Sequence, residues 1–317
     1  AFPDEVLAEA ERIPSEVGPA DLAGREDLRG LQIVTIDGED AKDLDDAVSV
    51  ERVSGHKDAG DLWRLGVHIA DVSHYVREGT ALDREARDRG TSVYLVDRVI
   101  PMLPPRLSNG ICSLNPQVDR LAMTVFMDID ERGRIVSHRV TPSVIRTAER
   151  MTYTNVARIL VDGDRAAMER YEPLVPQFRE MEALRRILRE KRMRRGSIDF
   201  DLPEEKVILD EKGYPIEIRP AIRTIADQII EEFMLSANET VAEHFCRLEV
   251  PFLYRIHEEP DAEKLYALNE FLTNFGYRLK GLGNIHPKAI QEVALKVAGK
   301  REEHLINTVM LLSLIHI

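Results

Sequence analysis

Alternating apolar and polar residues occupy much of the first half of the chain and predict a β-sheet there. The stretch 31–36 is apolar and β-branched, and the stretches that follow alternate with the two-residue period of a half-buried strand. Two of these stretches flank a turn with a central glycine, Glu131-Arg132-Gly133-Arg134, and so predict a hairpin. The predicted strands are 31–36, 47–53, 63–72, 122–129 and 135–145.

Helical spacing replaces this alternation in the second half. From Val175 onward, apolar residues recur every three or four positions as far as Gly196, a residue type that commonly follows the last turn of a helix. The other predicted elements of this half are two strands, 206–209 and 215–218, and a long helix, 222–245. Strands followed by helices predict an α+β fold.

Composition excludes several classes of protein. With 317 residues, 44% of them hydrophobic, the chain can bury a sizeable core. Its net charge of −13 excludes a general attraction to nucleic acid or anionic membranes, so any polyanion must be bound locally. No window approaches the roughly 18 apolar residues of a membrane span, and the N-terminus lacks a signal-peptide pattern. We expect a protein that is neither secreted nor membrane-bound.

The two cysteines add a constraint on the cellular compartment. Cys112 and Cys246 cannot form a disulfide framework, and they lack the Cys-x-x-Cys spacing of a zinc or redox site. A reducing, cytoplasmic location is therefore expected.

Six carboxylates crowd the stretch DGEDAKDLDD at 37–46, here called the acidic loop. Like charges this close raise each other's pKa, so a folded protein needs solvent or a cation to neutralise them. One interpretation is a solvated acidic turn. The other is a cation site, which is favoured by the apolar strands on both sides and by Gly38.

The residue types of the acidic loop limit the choice of cation. Oxygen ligands without His or Cys suit Mg²⁺ or Mn²⁺, or else Ca²⁺. An EF-hand is excluded, because counting from Asp37 places Ala41 and Lys42 at the fifth and sixth positions, where Asp or Asn and then Gly are needed. Hard-cation sites of this kind typically assist phosphoryl chemistry, so hydrolysis of a phosphodiester is the natural candidate.

Three stretches resemble the RNB catalytic domain of the ribonuclease II and ribonuclease R exoribonucleases, with most likeness to the ribonuclease R branch. They are TIDGEDAKDLDDA at 35–47, VHIADV at 67–72 and IPMLPPRLSNGICSLNP at 100–116. The resemblance runs over 31–311 and implies a mixed, largely antiparallel sheet surrounded by helices. It implies processive 3′-to-5′ hydrolysis of single-stranded RNA to nucleoside 5′-monophosphates, with Mg²⁺ as cofactor and Mn²⁺ as a substitute. The matching catalytic and metal-binding residues are Asp37, Asp43, Asp45 and Asp46, whereas Asp40 is expected to be a solvated neighbour.

The same resemblance assigns two aromatic residues to the RNA. Tyr94 and Phe200 match the side chains that grip terminal bases by stacking. Taken without the resemblance, each would more often be a core residue. A basic run precedes Phe200 and is either a solvated helix face or a guide for phosphate; its members are Arg185, Arg186, Arg189, Lys191, Arg192, Arg194 and Arg195. His68 and His257, each isolated on an apparent strand, are expected to be core histidines.

Two departures from the family pattern shape the expected domain organisation. A later arginine-bearing segment that contacts phosphate in the family is not found here, and 312–317 leave the pattern. We therefore expect a linker region at 1–30, an incomplete RNB domain at 31–311 and a non-native tail at 312–317. The chain alone should be weakly active or inactive. The alternatives are a ribonuclease II-type enzyme and an inactive RNA-binding regulator of the same fold, the latter disfavoured because all four aspartates are present.

Overall fold

The computed structural model describes residues 1–55, 60–200, 205–283 and 285–314. These residues form eleven β-strands and nine α-helices, together with several short 3₁₀ and π turns. The strands are β1 (Glu26–Asp27), β2 (Val34–Asp37), β3 (Asp46–Val53), β4 (Leu62–Ala70), β5 (Val93–Tyr94), β6 (Val99–Ile100), β7 (Asp119–Ile129), β8 (Ile135–Arg146), β9 (Glu149–Thr152), β10 (Glu205–Leu209) and β11 (Pro215–Pro220). The helices are α1 (Asp4–Arg12), α2 (Ala81–Arg89), α3 (Tyr153–Ala157), α4 (Arg165–Arg170), α5 (Val175–Arg195), α6 (Ile225–Leu248), α7 (Ala262–Thr273), α8 (Pro287–Val297) and α9 (Glu303–Leu314).

Seven strands form one mixed sheet in the order β1-β8-β7-β4-β3-β2-β9. The four central pairings are antiparallel, and the two outermost, β1 with β8 and β2 with β9, are parallel. This arrangement confirms the expected α+β fold with a largely antiparallel sheet.

An apolar cluster of this sheet anchors the acidic loop. Leu44, from within the loop, is buried beside Ala47, Leu114, Phe126 and Ile145. Burying an apolar side chain of this size contributes about 1.5–3 kcal/mol, which offsets part of the cost of ordering a charged segment.

The chain divides into two compact units. Unit 1 comprises 1–187, 211–214 and 223–248, and unit 2 comprises 188–210, 215–222 and 249–317, in each case the described residues of those ranges. In unit 1, α1 buries Val6 and Ala10 in a cluster with Leu82 and Leu107. In unit 2, α7, α8 and α9 surround a core that includes Leu268, Ile290 and Ile306.

Most of the predicted elements are confirmed, with shifted ends. Helix α5 ends at Arg195, one residue before Gly196, as predicted. The other predicted helix, 222–245, is α6 and begins at Ile225. The strand predicted at 31–36 begins at Val34 and runs through Asp37, and the strand predicted at 63–72 ends at Ala70 because Val72–His74 forms a 3₁₀ turn.

The two histidine predictions have opposite outcomes. His68 is fully buried on β4, as expected of a core histidine. The prediction for His257 is wrong, because the residue is exposed and the stretch around it joins no sheet among the described residues. Alternating apolar residues predict a strand only where a partner strand is available.

The predicted non-native tail is only partly described. Helix α9 continues to Leu314, and residues 315–317 lie outside the described residues. The origin of the tail stays a prediction.

Candidate active site

Two neighbouring strands bring the ends of the acidic loop together. Strand β2 ends at Asp37 and β3 begins at Asp46, and the two strands pair in antiparallel fashion through Val34 and Val48. On its other side β2 pairs in parallel with β9, which places Asp37 opposite Thr152. The sheet therefore fixes the first and last of the four predicted aspartates.

The first half of the acidic loop is held by side chains that follow or belong to β9. The guanidinium nitrogen Nη2 of Arg150 donates to the carbonyl oxygens of Ala41 at 2.7 Å, Glu39 at 2.8 Å and Gly38 at 3.3 Å. The hydroxyl of Thr154 donates to the carboxylate of Glu39. The Arg150 contacts supply donors to backbone carbonyls that lie outside the strands, and the Thr154 contact holds the Glu39 side chain.

The second half is held by a different segment. The hydroxyl of Ser113 accepts from the N–H of Leu44 at 3.0 Å and donates to the carbonyl of Lys42 at 3.0 Å. The N–H of Leu114 donates to the carbonyl of Leu44 at 2.8 Å. Because Ser113 is completely buried, these hydrogen bonds are shielded from water and fix the loop firmly.

Burial raises the pKa values of three carboxyl groups, and repulsion between carboxylates adds to the rise for two of them. Burial is the largest cause for Asp37, whose pKa rises to about 7; repulsion from Asp46, Asp43 and Asp45 adds to it, and Arg150 opposes it. The pKa of Asp45 rises to about 6 through burial and then through repulsion from Asp43 and Asp46. Asp45 also keeps contact with solvent at the surface of the loop. Burial also raises the pKa of Asp46. A cation at this point would remove a strain that the fold otherwise carries.

The donor chemistry fits a hard divalent cation. One carboxylate oxygen of Asp37, Oδ2, is buried and has no hydrogen-bond partner among the described residues, so it is available as a ligand. The four aspartates offer only oxygen atoms, which suits Mg²⁺ or Mn²⁺. Among the described residues, no three His, Cys, Asp or Glu side chains are already grouped as a metal site.

Tyr94 lies against this carboxylate group. Its side chain on β5 is 66% exposed, and its hydroxyl donates to Oδ2 of Asp43 at 2.8 Å. The structure thus joins two of the predicted site residues by a hydrogen bond that the sequence did not predict.

Tyr153 is a neighbour of the site that the sequence analysis missed. It begins α3 directly after β9, and burial together with the negative charge of Asp37 raises its pKa to about 12. Asp227, on α6, adds to this shift. Tyr153 could have been found only by knowing that β9 pairs with β2. The sequence analysis missed it because these two strands are far apart in the chain.

The sequence of the chain matches a known protein family over most of its length. The family model for the RNB domain matches residues 25–315. The chain belongs to the RNB-domain family. Curated members share much of its sequence: Ribonuclease R of Thermotoga maritima is 53% identical over 297 residues, 93% of this chain and 41% of that protein. Ribonuclease R 1 of Lactococcus lactis is 49% identical over 314 residues, 99% of this chain and 38% of that protein.

Solved structures agree with this membership of the RNB-domain family. A Mycoplasma genitalium RNase R in complex with ribose-methylated single-stranded RNA superposes with a TM-score of 0.91 at 28% identity. The match covers 100% of this chain and 48% of that chain. Our chain spans about two fifths of the length of the curated relatives that it matches.

Phe200 is the second aromatic residue that the resemblance predicts to stack on a base. It also contributes to packing within the protein. It lies in unit 2, half-buried, and packs against the core of the three helices that includes Leu268 and Met310. Tyr94 belongs to unit 1. Stacking of a base on either ring stays a prediction.

Part of the basic run is already engaged within the protein. Arg185 is buried and donates to Gln228 at 3.0 Å and to Glu182 at 3.2 Å, and Arg189 pairs with Asp199. Guanidinium groups held in this way have fewer donors left for phosphate. The interpretation as a solvated face is therefore wrong for Arg185, and the phosphate-guiding role stays a prediction for the others.

No helix in the part of the chain that the structure describes has the length and apolar character needed to cross a bilayer.

Proposed function

We propose that the protein is a Mg²⁺-dependent 3′-to-5′ exoribonuclease that degrades single-stranded RNA processively to nucleoside 5′-monophosphates. The observation that carries the proposal is the placing of Asp37 and Asp46 at the ends of two paired strands, with Oδ2 of Asp37 buried and without a partner among the described residues, in a loop that Arg150 and Ser113 hold. Membership of the RNB-domain family and the likeness to Ribonuclease R of Thermotoga maritima support it. The RNA in the matching Mycoplasma genitalium structure supports single-stranded RNA as the substrate.

The aspartates would hold the cation and the reacting phosphodiester in place. Asp37, Asp45 and Asp46 would bind Mg²⁺ through carboxylate oxygens, and Asp43 would complete the set while accepting the hydroxyl hydrogen of Tyr94. A bound Mg²⁺ supplies positive charge that stabilises negative charge developing on the phosphate. Water would then attack the phosphorus of the last phosphodiester at the 3′ end, and the bond from phosphorus to the O3′ of the preceding nucleotide would break. A nucleoside 5′-monophosphate would leave, and the shortened RNA would keep a 3′-hydroxyl.

Tyr94 would work on the base side of the same nucleotide. Because its hydroxyl is fixed to Asp43 while most of its ring is exposed, the ring can stack on a base next to the carboxylates. Each such stack contributes about 1–3 kcal/mol without preference for one base. The two free cysteines support a location in the reducing cytoplasm.

The experiment compares two aspartates of one loop. We expect Asp45→Asn to abolish hydrolysis of a 5′-labelled single-stranded RNA while RNA affinity changes less than about threefold, because it removes charge at the cation and little surface. Asp40→Asn is the matched control, since Asp40 is exposed in the same loop, and it should retain near-normal rates. Products are identified by chromatography, with and without EDTA.

Two outcomes would contradict the proposal. Hydrolysis that persists in EDTA would show that the reaction does not need a divalent cation. Near-normal rates in the Asp45→Asn protein would show that the carboxylate of Asp45 is not needed for hydrolysis. RNA binding without any hydrolysis in the unsubstituted, complete gene product would instead support the inactive RNA-binding regulator.

A further inference from the structure

Arg150 lies against the acidic loop and acts on the charge of Asp37, yet its guanidinium binds backbone. Among the described residues, its hydrogen bonds go from Nη2 to the carbonyl oxygens of Gly38, Glu39 and Ala41. Nη2 carries two hydrogens, so the short bonds to Ala41 and Glu39 use both, and the longer contact to Gly38 shares one of them. Arg150 thus ties three of the four residues 38–41 of the turn to β9.

The arrangement keeps carboxylate oxygens available. An arginine beside aspartates commonly forms a bidentate pair with one of them. Here Arg150 lowers the pKa of Asp37 only through space, and Oδ2 of Asp37 has no hydrogen-bond partner among the described residues. A direct Arg–Asp pair would have consumed a potential ligand of the cation.

The other half of the loop has an independent support. Ser113 and Leu114 hold Lys42 and Leu44 from a segment outside the β2–β9 pair. Loss of Arg150 should therefore loosen 38–41, next to Asp37, and leave the Leu44 end in place.

We propose that Arg150 is a positioning residue that fixes the first half of the acidic loop and thereby the path of the chain from Asp37, at the end of β2, to Asp43 and Asp45. Its effect on cation binding rests on the proposed function. Its effect on the shape of the loop does not.

The test uses Arg150→Met and Arg150→Lys in the complete gene product, with Arg146→Met as a matched control. Arg146 lies four residues earlier on β8 and pairs with Asp119 on the neighbouring β7. Hydrogen exchange is measured at two amides of the loop: Ala41, bonded to the Gly38 carbonyl, and Leu44, bonded to Ser113. Mn²⁺ affinity is measured by electron paramagnetic resonance, and thermal unfolding is recorded for every variant.

We expect exchange at Ala41 to rise by about tenfold or more in Arg150→Met while exchange at Leu44 is unchanged, because one charged donor holds the first half of the loop. Mn²⁺ affinity should fall by about tenfold in Arg150→Met and by less in Arg150→Lys, whose ammonium can reach one carbonyl but not three. Arg146→Met should change neither quantity.

Unchanged Ala41 exchange and unchanged Mn²⁺ affinity in a folded Arg150→Met protein overturn the inference. So does a lower melting temperature with the same Mn²⁺ affinity and the same ratio of Ala41 to Leu44 exchange, since that is the signature of general destabilisation. If Arg150→Met does not fold, the same comparison is made in Arg150→Lys. An unsubstituted protein that neither binds Mn²⁺ nor hydrolyses RNA contradicts the proposed function, and the exchange measurement still decides the role of Arg150.

Discussion

At the scale of single residues, His68 links four strands by hydrogen bonds. Its Nε2 lies 3.1 Å from the hydroxyl of Ser49 on β3, and its Nδ1 lies 2.8 Å from that of Thr124 on β7. Thr124 in turn contacts the hydroxyl of Ser143 on β8 at 2.7 Å. Burial lowers the pKa of His68 to about 3, so the ring is neutral in the folded protein.

This burial predicts a loss of stability in acid. Between the unfolded value near 6.5 and the folded value near 3, the unfolded chain binds more protons, so the stabilisation is complete above pH 6.5 and falls as the pH drops. We expect wild type to lose about 1.4 kcal/mol more free energy of unfolding than His68→Gln between pH 7.5 and 5.5. Urea unfolding at both pH values measures the difference, since all other titrating groups are shared. Equal losses in the two proteins would show that His68 does not titrate on unfolding.

Tyr94 gives a prediction about the end of the reaction. Tyr94→Ala removes a stacking ring that is mostly exposed, so it should lengthen the final undegraded RNA and change the free energy of unfolding by less than about 1 kcal/mol. Tyr94→Phe keeps the ring and loses only the hydrogen bond to Asp43, so its limit product should match that of wild type. Gel mapping of the end products measures both. A large fall in melting temperature with an unchanged limit product would make Tyr94 a packing residue.

The four aspartates could be chosen from the sequence because a run of carboxylates and its family resemblance are both local patterns. The roles of Arg150 and Tyr153 could not. Each acts on Asp37 from β9 or the residue after it, and no local pattern in the sequence announces that β9 lies beside β2. Pairings between distant segments are decided by packing of the whole sheet.

At the scale of elements, the end of α5 depends on a close approach. Gly196 has a φ of 110°, and a Cβ placed on it would lie 2.9 Å from the backbone nitrogen of Lys288, the second residue of α8. Gly163 also has positive φ, 60°, but a Cβ there would meet nothing within 4 Å. A side chain at Gly196 would therefore meet both backbone strain and a steric contact, whereas one at Gly163 would meet backbone strain alone.

We expect Gly196→Ala to destabilise unit 2 by about 3 kcal/mol, because strain and displacement of backbone add, whereas Gly163→Ala should cost about 1 kcal/mol. Differential scanning calorimetry of both variants measures the effect. Similar costs would mean that α8 moves away without penalty.

Elements were predictable where their pattern was long and regular. Strands β3, β7 and β8 and helix α5 follow from periodicity over eight or more residues. The two-residue strands β5 and β6 were missed because a pair of residues carries no period. The hairpin that they form is what delivers Tyr94 to Asp43.

At the scale of the whole molecule, the raised pKa values in the acidic loop give the effect of a divalent cation on stability a defined pH dependence. The folded pKa values of Asp37 and Asp45 are raised from 3.8 to about 7 and about 6, so the folded state holds more protons than the unfolded state between these values. Stability therefore falls as the pH rises from about 4 to about 7. At pH 8 the repulsion is complete and the ligands are deprotonated. At pH 6 bound protons already relieve part of the repulsion between the carboxylates, and they compete with the divalent cation for the carboxylate oxygens.

We expect Mg²⁺ at 100 times its Kd at pH 8 to raise the melting temperature by roughly 5 °C at that pH. The same concentration of Mg²⁺ should raise the melting temperature by clearly less at pH 6. Potassium chloride of equal ionic strength and the Asp45→Asn protein serve as controls, and neither should reproduce the shift. An equal shift at both pH values would indicate screening of the net charge rather than binding at the acidic loop.

The parallel contact between β2 and β9 also sets the order of events during synthesis on the ribosome. Arg150 is 112 residues downstream of Gly38, the loop residue whose carbonyl it reaches. At about 5–20 residues per second, translation needs on the order of ten seconds to supply it. During that interval the nascent chain already carries all four aspartates but lacks the strand and the guanidinium that shape their loop, so the aspartates emerge early and become organised late.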